Sequence, residues 1–240
     1  MKNKIETLLL AGGYGTRLFP LTLFMPKIFL KYKSRYLLDH HLTSLLKFIN
    51  NKIYVNILSR GFYKIFIKKY FCNKKIKFII EKKVTGTAGI LKKILKKKNK
   101  SDLIIIYSDT FHENDQEKII KEVIKVSKGE NISISASTTL EKINDKSVVF
   151  IQKNNLKHFI EKPKKNYKSS FYFSGIVYIP NHLKNDILSL INYNSSKKEI
   201  LDFSRLVLTS RKFQIKVYKT DIEPLDFGKW TKVIKNFLKF

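Results

Sequence analysis

Three glycines, an arginine and a lysine, close together in one short stretch, carry the most distinctive chemistry of this sequence. They stand in Gly12-Gly13-Tyr14-Gly15-Thr16-Arg17-Leu18-Phe19-Pro20-Leu21-Thr22, followed by Pro26-Lys27. The leucine run Leu8 to Leu10 ahead of them reads as a buried strand, and the glycines as a tight loop. Lacking a Cβ, glycines let the backbone close on a ligand and point several N–H groups inward. That concavity suits an anion with many oxygens, a triphosphate above all, with Arg17 and Lys27 as fixed cations beside it. Pro20 and Pro26 restrict the backbone between them, which helps hold Lys27 in place. The plainer alternative is a glycine turn between strand and helix with two solvated cations. A Walker loop is excluded, because Gly-x-x-x-x-Gly-Lys-Ser/Thr is absent. A dinucleotide fingerprint fails too, since Arg17 and Leu18 follow where it needs glycine.

A second feature is acidic. Asp109 comes just after the apolar run Leu103 to Tyr107, and a carboxylate at a strand end can hold Mg²⁺, a hard ion that prefers oxygen ligands. Its other use is to cap the next turn. Asp226 precedes the last helix, where an aspartate commonly serves the helix N-terminus. His40, His41, His112, His158 and His182 show no metal-ligand spacing and read as surface or satisfied residues. Cys72 has no evident base partner.

The first stretch resembles, without a gap, the signature of the sugar nucleotidyltransferases, Gly-Gly-x-Gly-Thr-Arg-Leu-x-Pro-Leu-Thr-x-x-x-Pro-Lys. Weaker matches follow in order along nearly the whole chain. The resemblance implies transfer of a nucleoside monophosphate from a nucleoside triphosphate to a sugar 1-phosphate. It implies that Leu10, Gly12, Gly13, Gly15 and Thr16 meet the nucleotide and that Arg17 and Lys27 act on its phosphates. Glu81, with Gly86-Thr87-Ala88-Gly89 beyond it, resembles the segment that contacts base and ribose. Glu161-Lys162-Pro163 resembles the block whose lysine holds the sugar phosphate and whose glutamate meets sugar hydroxyls. Phe173-Ser174-Gly175 matches the next element, where Gly175 lines the sugar pocket. Asp109 and Asp226 resemble the two carboxylates that share Mg²⁺. Three positions depart from the family pattern: Ser108 replaces glycine, Lys146-Ser147 stands for Tyr-Gly, and Lys229-Trp230 stands for Thr-Pro. In look the chain is nearest to mannose- or heptose-1-phosphate guanylyltransferases, with thymidylyl- and uridylyltransferases as alternatives. The departures also motivate a third reading, a non-catalytic nucleotide-sugar sensor.

These residues need a frame. Strands read at Ile53 to Leu58, Ile76 to Ile80 and Leu103 to Tyr107 alternate with helices at Leu38 to Ile49, Phe62 to Tyr70 and Ala88 to Lys97. Such alternation predicts an α/β, Rossmann-like, mostly parallel sheet flanked by helices, with ligands beyond the carboxyl ends of the strands. The second half predicts strands at Ile132 to Ala136, Val148 to Ile151, Leu156 to Ile160, Phe171 to Ile179 and Phe213 to Val217. Its helices fall near Leu183 to Ile191, Glu199 to Leu208 and Lys229 to Leu238. This reads as a mixed-sheet, sugar-binding extension. No linker or repeat interrupts 1–240, so one domain is expected, with a nucleotide-binding half over about 1–130 and a sugar-phosphate half over about 131–240.

Composition narrows the class. A chain of 240 residues with 43% hydrophobic content can bury a full core, and no apolar run approaches the ~20 residues of a membrane span. One cysteine fits a reducing compartment, and a cytoplasmic protein with no membrane partner is expected. The formal charge of +29 invites nucleic acid as a partner. Arginine is scarce, however, and lysines such as Lys92-Lys93 and Lys96-Lys97-Lys98 spread along the chain as solvated faces. No specific nucleic-acid partner is expected, only incidental polyanion affinity. A homo-oligomer is left open.

Overall fold

The computed structural model describes residues 4–49, 51–97, 99–138, 146–163, 171–195 and 200–237. Its centre is a nine-stranded sheet. In chain order the strands are β1 (Ile5–Ala11), β2 (Ile53–Leu58), β3 (Ile76–Glu81), β4 (Asp102–Tyr107), β5 (Ile132–Thr138), β6 (Val148–Gln152), β7 (Asn155–Ile160), β8 (Phe171–Ile179) and β9 (Ile215–Thr220). Their spatial order is β3-β2-β1-β4-β8-β5-β9-β7-β6. The first four are all parallel. Beyond them β8 runs antiparallel to β4 and β5, whereas β9 is parallel to β5. The parallel character therefore belongs to the first half and the mixed character to the extension. Both lie in one continuous sheet.

Period-two alternation explains how this sheet acquires two cores. Leu8, Leu103 and Ile105 face one side, where helices α3 (Gly86–Leu95) and α5 (Lys184–Ser195) supply Ile90, Leu91, Ile94, Ile187 and Ile191. Leu9, Ile104 and Ile106 face the other, against Leu38, Leu42 and Leu45 of α1 (Leu37–Leu46) and Ile119, Ile120 and Val123 of α4 (Gln116–Ser127). These strand residues are at most 1% exposed, and each buried aliphatic side chain contributes about 2 kcal/mol. Two further helices are α2 (Tyr63–Lys68) and α6 (Trp230–Phe237).

Two sequence expectations change. Helix α4 falls outside the helices expected from the sequence, although Ile119, Ile120, Val123 and Ile124 mark an amphipathic face. The helix expected over Glu199 to Leu208 is a π-helical turn at Ser204–Leu208, with residues 200–202 non-helical. Its segment is held against α3 by the hydrogen bonds described below. Glu199, Leu238 and Lys98 lie outside the described residues. No helix among the described residues is long and apolar enough to cross a membrane.

His41, on α1, is fully buried. Its Nε2–H donates to the Ser108 carbonyl at 3.3 Å, and its Nδ1 accepts from Gln116 Nε2 at 3.0 Å. Burial pushes His41 down to about 4. The nearby His112, 1% exposed, is pushed down to about 3 by burial and then by His41. In the unfolded chain both take a proton near 6.5, so below that pH the unfolded state binds more protons and is favoured. Stability should therefore fall by on the order of 2 kcal/mol between pH 6.5 and 5.5. The urea midpoint of unfolding, followed against pH, checks this. A midpoint that holds steady over that interval would contradict it.

Candidate active site

The cleft opens at the carboxyl ends of the four parallel strands and has two adjoining depressions. All the site residues read from the sequence line one or both of them. The first holds Leu10, Gly12, Gly13, Gly15, Thr16, Arg17, Lys27, Glu81, Gly86, Asp109 and Lys162. The second holds Arg17, Asp109, Glu161, Lys162, Gly175 and Asp226. Arg17, Asp109 and Lys162 thus stand where the two meet.

The glycine loop is shaped by what lies beneath it. Ala11 N–H donates to Asn56 Oδ1 at 2.9 Å, and Asn56 Nδ2 donates to Glu81 Oε2 at 2.7 Å. Thr85 Oγ1 donates to Glu81 Oε1 at 2.5 Å. A Cβ on Gly12 would run into both Asn56 Nδ2 and Glu81 Oε2. The Gly12→Ala change should therefore displace this pair and weaken triphosphate binding by tenfold or more, while costing about 1–3 kcal/mol of stability. Triphosphate titration of the purified variant checks it. Gly15 has φ +62, and its carbonyl accepts from Thr22 Oγ1 at 2.9 Å. The loop is thereby tied to the following turn.

Lys27 Nζ lies 3.1 Å from Asp109 Oδ2. Burial pushes the Asp109 carboxyl up, but the charge and hydrogen bond of Lys27, with the charge of Lys162, outweigh it and hold it below the usual carboxylate range. Asp226 reaches the same place through a two-stranded ribbon, in which Asp226 stands opposite Thr110 and Phe227 N–H donates to the Asp109 carbonyl at 2.8 Å. Asp226 Oδ1 accepts Gly228 N–H at 2.6 Å, so part of its work is to brace the turn before α6. Arg17 has no acidic partner among the described residues. The departure at Ser108 is accommodated, because its hydroxyl donates to the Leu10 carbonyl at 2.7 Å and joins β4 to the start of the loop.

Around Glu161 the environment reverses. Burial pushes its carboxyl up, and Asp202 adds to this, against Arg205 and Lys162. Arg205 Nε stands 3.5 Å from Glu161 Oε2. Asp202 arrives because Ala88 N–H donates to the Leu201 carbonyl at 3.0 Å and Phe203 N–H to Thr87 Oγ1 at 2.7 Å. Gly86, at φ +79, permits that approach, since a Cβ there would strike the Leu201 carbonyl. Gly175, at φ +92, sits in a β8 irregularity, and a Cβ on it would strike Thr110 Oγ1.

Asn56 and Asp202 were not singled out from sequence. Asn56 had a signal, as the one amide inside the apolar run Ile53-Tyr54-Val55-Asn56-Ile57-Leu58. Asp202 had none, because only the backbone contacts with α3 bring it in.

Among the described residues no three or more metal-type side chains cluster. The donor set of Asp109 and Asp226 still fits Mg²⁺, which takes one or two carboxylates and completes its shell with water and phosphate oxygens.

The chain is similar to several known proteins in sequence and fold. Mannose-1-phosphate guanyltransferase of Pichia angusta is 36% identical over 120 residues, 45% of this chain and 31% of that protein. The bifunctional sugar-1-phosphate nucleotidylyltransferase/acetyltransferase of Sulfurisphaera tokodaii is 28% identical over 238 residues, 96% of this chain and 54% of that protein. The chain thus spans about a third of one relative and about half of the other. Among solved structures, CTP:phosphocholine cytidylyltransferase of Streptococcus pneumoniae has the same fold, with a TM-score of 0.79 at 14% identity over 99% of this chain and 100% of that one. The family described as Nucleotidyl transferase matches residues 6–240, and this chain belongs to it.

Proposed function

We propose that this chain transfers a nucleoside monophosphate from a nucleoside triphosphate to a sugar 1-phosphate, releasing pyrophosphate, and that its triphosphate is GTP. The observation that carries the reaction is the pair of adjoining depressions meeting at Arg17, Asp109 and Lys162. A phosphate oxygen of the acceptor attacks the α-phosphorus in line, a P–O bond forms, and the bond to the β-phosphate oxygen breaks with its electron pair leaving on pyrophosphate. No covalent enzyme intermediate is required, so the protein's work is positioning and charge neutralisation. Arg17, without an acidic partner among the described residues, suits the charge on the departing pyrophosphate. Lys27 suits the crowded charge at the α-phosphate, and Lys162 the acceptor's phosphate. Mg²⁺ held by Asp109 and Asp226 would supply further neutralisation of phosphate oxygens.

Support for guanine comes from Glu81. It closes strand β3, three strand spacings from the Asp109 strand, or about 14 Å, roughly the reach of a nucleoside from α-phosphate to base edge. Its carboxylate is fixed by Asn56 and Thr85 and has no cation partner among the described residues. An acceptor-only group there matches the adjacent N1–H and N2–H₂ donors of guanine. Uracil and thymine offer one donor flanked by two carbonyl oxygens that a carboxylate repels. The relative named as a mannose-1-phosphate guanyltransferase supports the same choice, with mannose or heptose 1-phosphate as the acceptor. Pyrophosphate release with GTP, UTP, dTTP and CTP against a panel of sugar 1-phosphates tests it. GTP should lead by tenfold or more, and Glu81→Gln should narrow that lead. Higher turnover with UTP or dTTP would assign the chain to the other branch of the family's chemistry.

A further inference from the structure

Two consecutive histidines of α1 lie behind the turn that carries Asp109, and the transfer scheme uses neither. His41 is fully buried, and its Nε2–H donates to the Ser108 carbonyl at 3.3 Å. A carbonyl only accepts, so Nε2 carries the proton and Nδ1 of the neutral ring is bare. Gln116, 1% exposed at the start of α4, supplies the donor that Nδ1 needs, at 3.0 Å. The backbone N–H of Gln116 is in turn bonded to the His112 carbonyl at 2.9 Å. Buried Gln116 Oε1 and His112 Nε2 have no partner among the described residues. Such a network costs stability that an apolar pair would not, and the carbonyl it reaches belongs to the residue before Asp109.

The same helix also holds the ribbon that brings in Asp226. Phe111, 5% exposed, stands opposite Leu225 and beside Thr110, which faces Asp226. Its ring centroid lies 5.4 Å from that of His41, edge-on, and 5.4 Å from that of His40. His40 Nε2–H donates to the Tyr32 carbonyl at 2.8 Å, and the Tyr32 ring meets that of Phe227 edge-on at 5.4 Å. Phe227 follows Asp226 directly and is fully buried. Both segments that carry the carboxylates are therefore gripped from α1, one by His41 and one by way of His40. Two carboxylates that share a cation repel each other in its absence, so their spacing has to be set by the frame behind them.

We propose that His41 and Gln116 are positioning residues for the divalent cation of this site. Through the Ser108 carbonyl and the Phe111 ring they keep Asp109 and Asp226 at the spacing that one ion needs. This rests on the transferase reading and adds to it the part that sets the geometry of its carboxylates. Packing alone would ask only for an apolar side chain of similar volume.

The test is titration of the purified protein with Mn²⁺, read from the electron paramagnetic resonance of the free ion. Beside it, pyrophosphate release is followed against Mg²⁺ concentration, with all four triphosphates and a panel of sugar 1-phosphates. His41→Leu should weaken Mn²⁺ binding about tenfold or more and raise the half-saturating Mg²⁺ by a similar factor. Gln116→Leu should act in the same direction, because Nδ1 then lacks the donor that fixes the tautomer. His41→Gln, whose amide N–H reaches toward the same carbonyl, should recover most of the affinity. A folded His41→Leu protein with a lower urea midpoint but wild-type Mn²⁺ affinity would reduce the network to packing and overturn the inference. Equal losses in His41→Leu and His41→Gln would overturn it as well. Should His41→Leu not fold, Gln116→Leu against the wild type decides by the same readouts. A wild-type protein that takes up no Mn²⁺ would overturn the inference alone. One that releases no pyrophosphate with any pair of substrates would overturn the transferase reading together with it.

Discussion

Alanine in place of Lys27 should lower kcat by about 10²–10³-fold while raising KM for the triphosphate only severalfold. The asymmetry follows from where the ammonium is held. Lys27 Nζ lies 3.1 Å from Asp109 Oδ2, and its side chain is only 16% exposed. Pro26 in extended geometry precedes the short turn Lys27–Phe29, whose Ile28 and Phe29 are anchored in the core. A cation so fixed reorganises little when negative charge gathers at the α-phosphorus, so it stabilises the transition state more than the bound substrate. Rapid-quench measurement of single turnovers, alongside triphosphate titration, separates the two effects. A loss confined to binding would reduce Lys27 to an anchor for the triphosphate.

Asp109→Asn should have a comparable or larger effect, with turnover falling by at least about 10³-fold while the fold survives. The amide keeps the shape but cannot offer a charged oxygen to Mg²⁺, and it leaves Lys27 without its carboxylate. The carboxylate is itself about a third exposed, so the stability cost should stay near 1–2 kcal/mol, discounted for solvent. Because Lys27 and Lys162 keep the Asp109 carboxyl below the usual range, any acidic limb of the rate profile should not belong to it. Chelation of divalent metal by EDTA should reproduce the loss in the wild-type protein and have little further effect on the variant. Full wild-type turnover in EDTA would remove the metal from the scheme and leave Asp109 as a partner of Lys27 alone.

Much of the site was legible in the linear sequence for a physical reason. Glycines, prolines and cations act over a few residues, so the loop from Gly12 to Lys27 announces a phosphate-sized concavity before any folding is considered. The parallel strands were legible too, since Leu8-Leu9-Leu10 and Leu103 to Tyr107 are too apolar to stand anywhere but the centre of a sheet. The second half was harder to read. Which strands pair, and in which direction, depends on contacts far apart in the chain, and the antiparallel entry of β8 beside β4 is what brings Gly175 against Thr110. Helix α4 is legible in the apolar spacing of Ile119, Ile120 and Val123. Only the tertiary structure brought Asp226 beside Asp109, through a ribbon two residues long on each strand, and Asp202 beside Glu161, through backbone bonds to α3. It also turned Glu81 from a loop acid into one fixed from below by Asn56. The types and local spacing of residues determined the chemistry on offer. The charges that face one another across the cleft were decided by long-range packing, which no local pattern records.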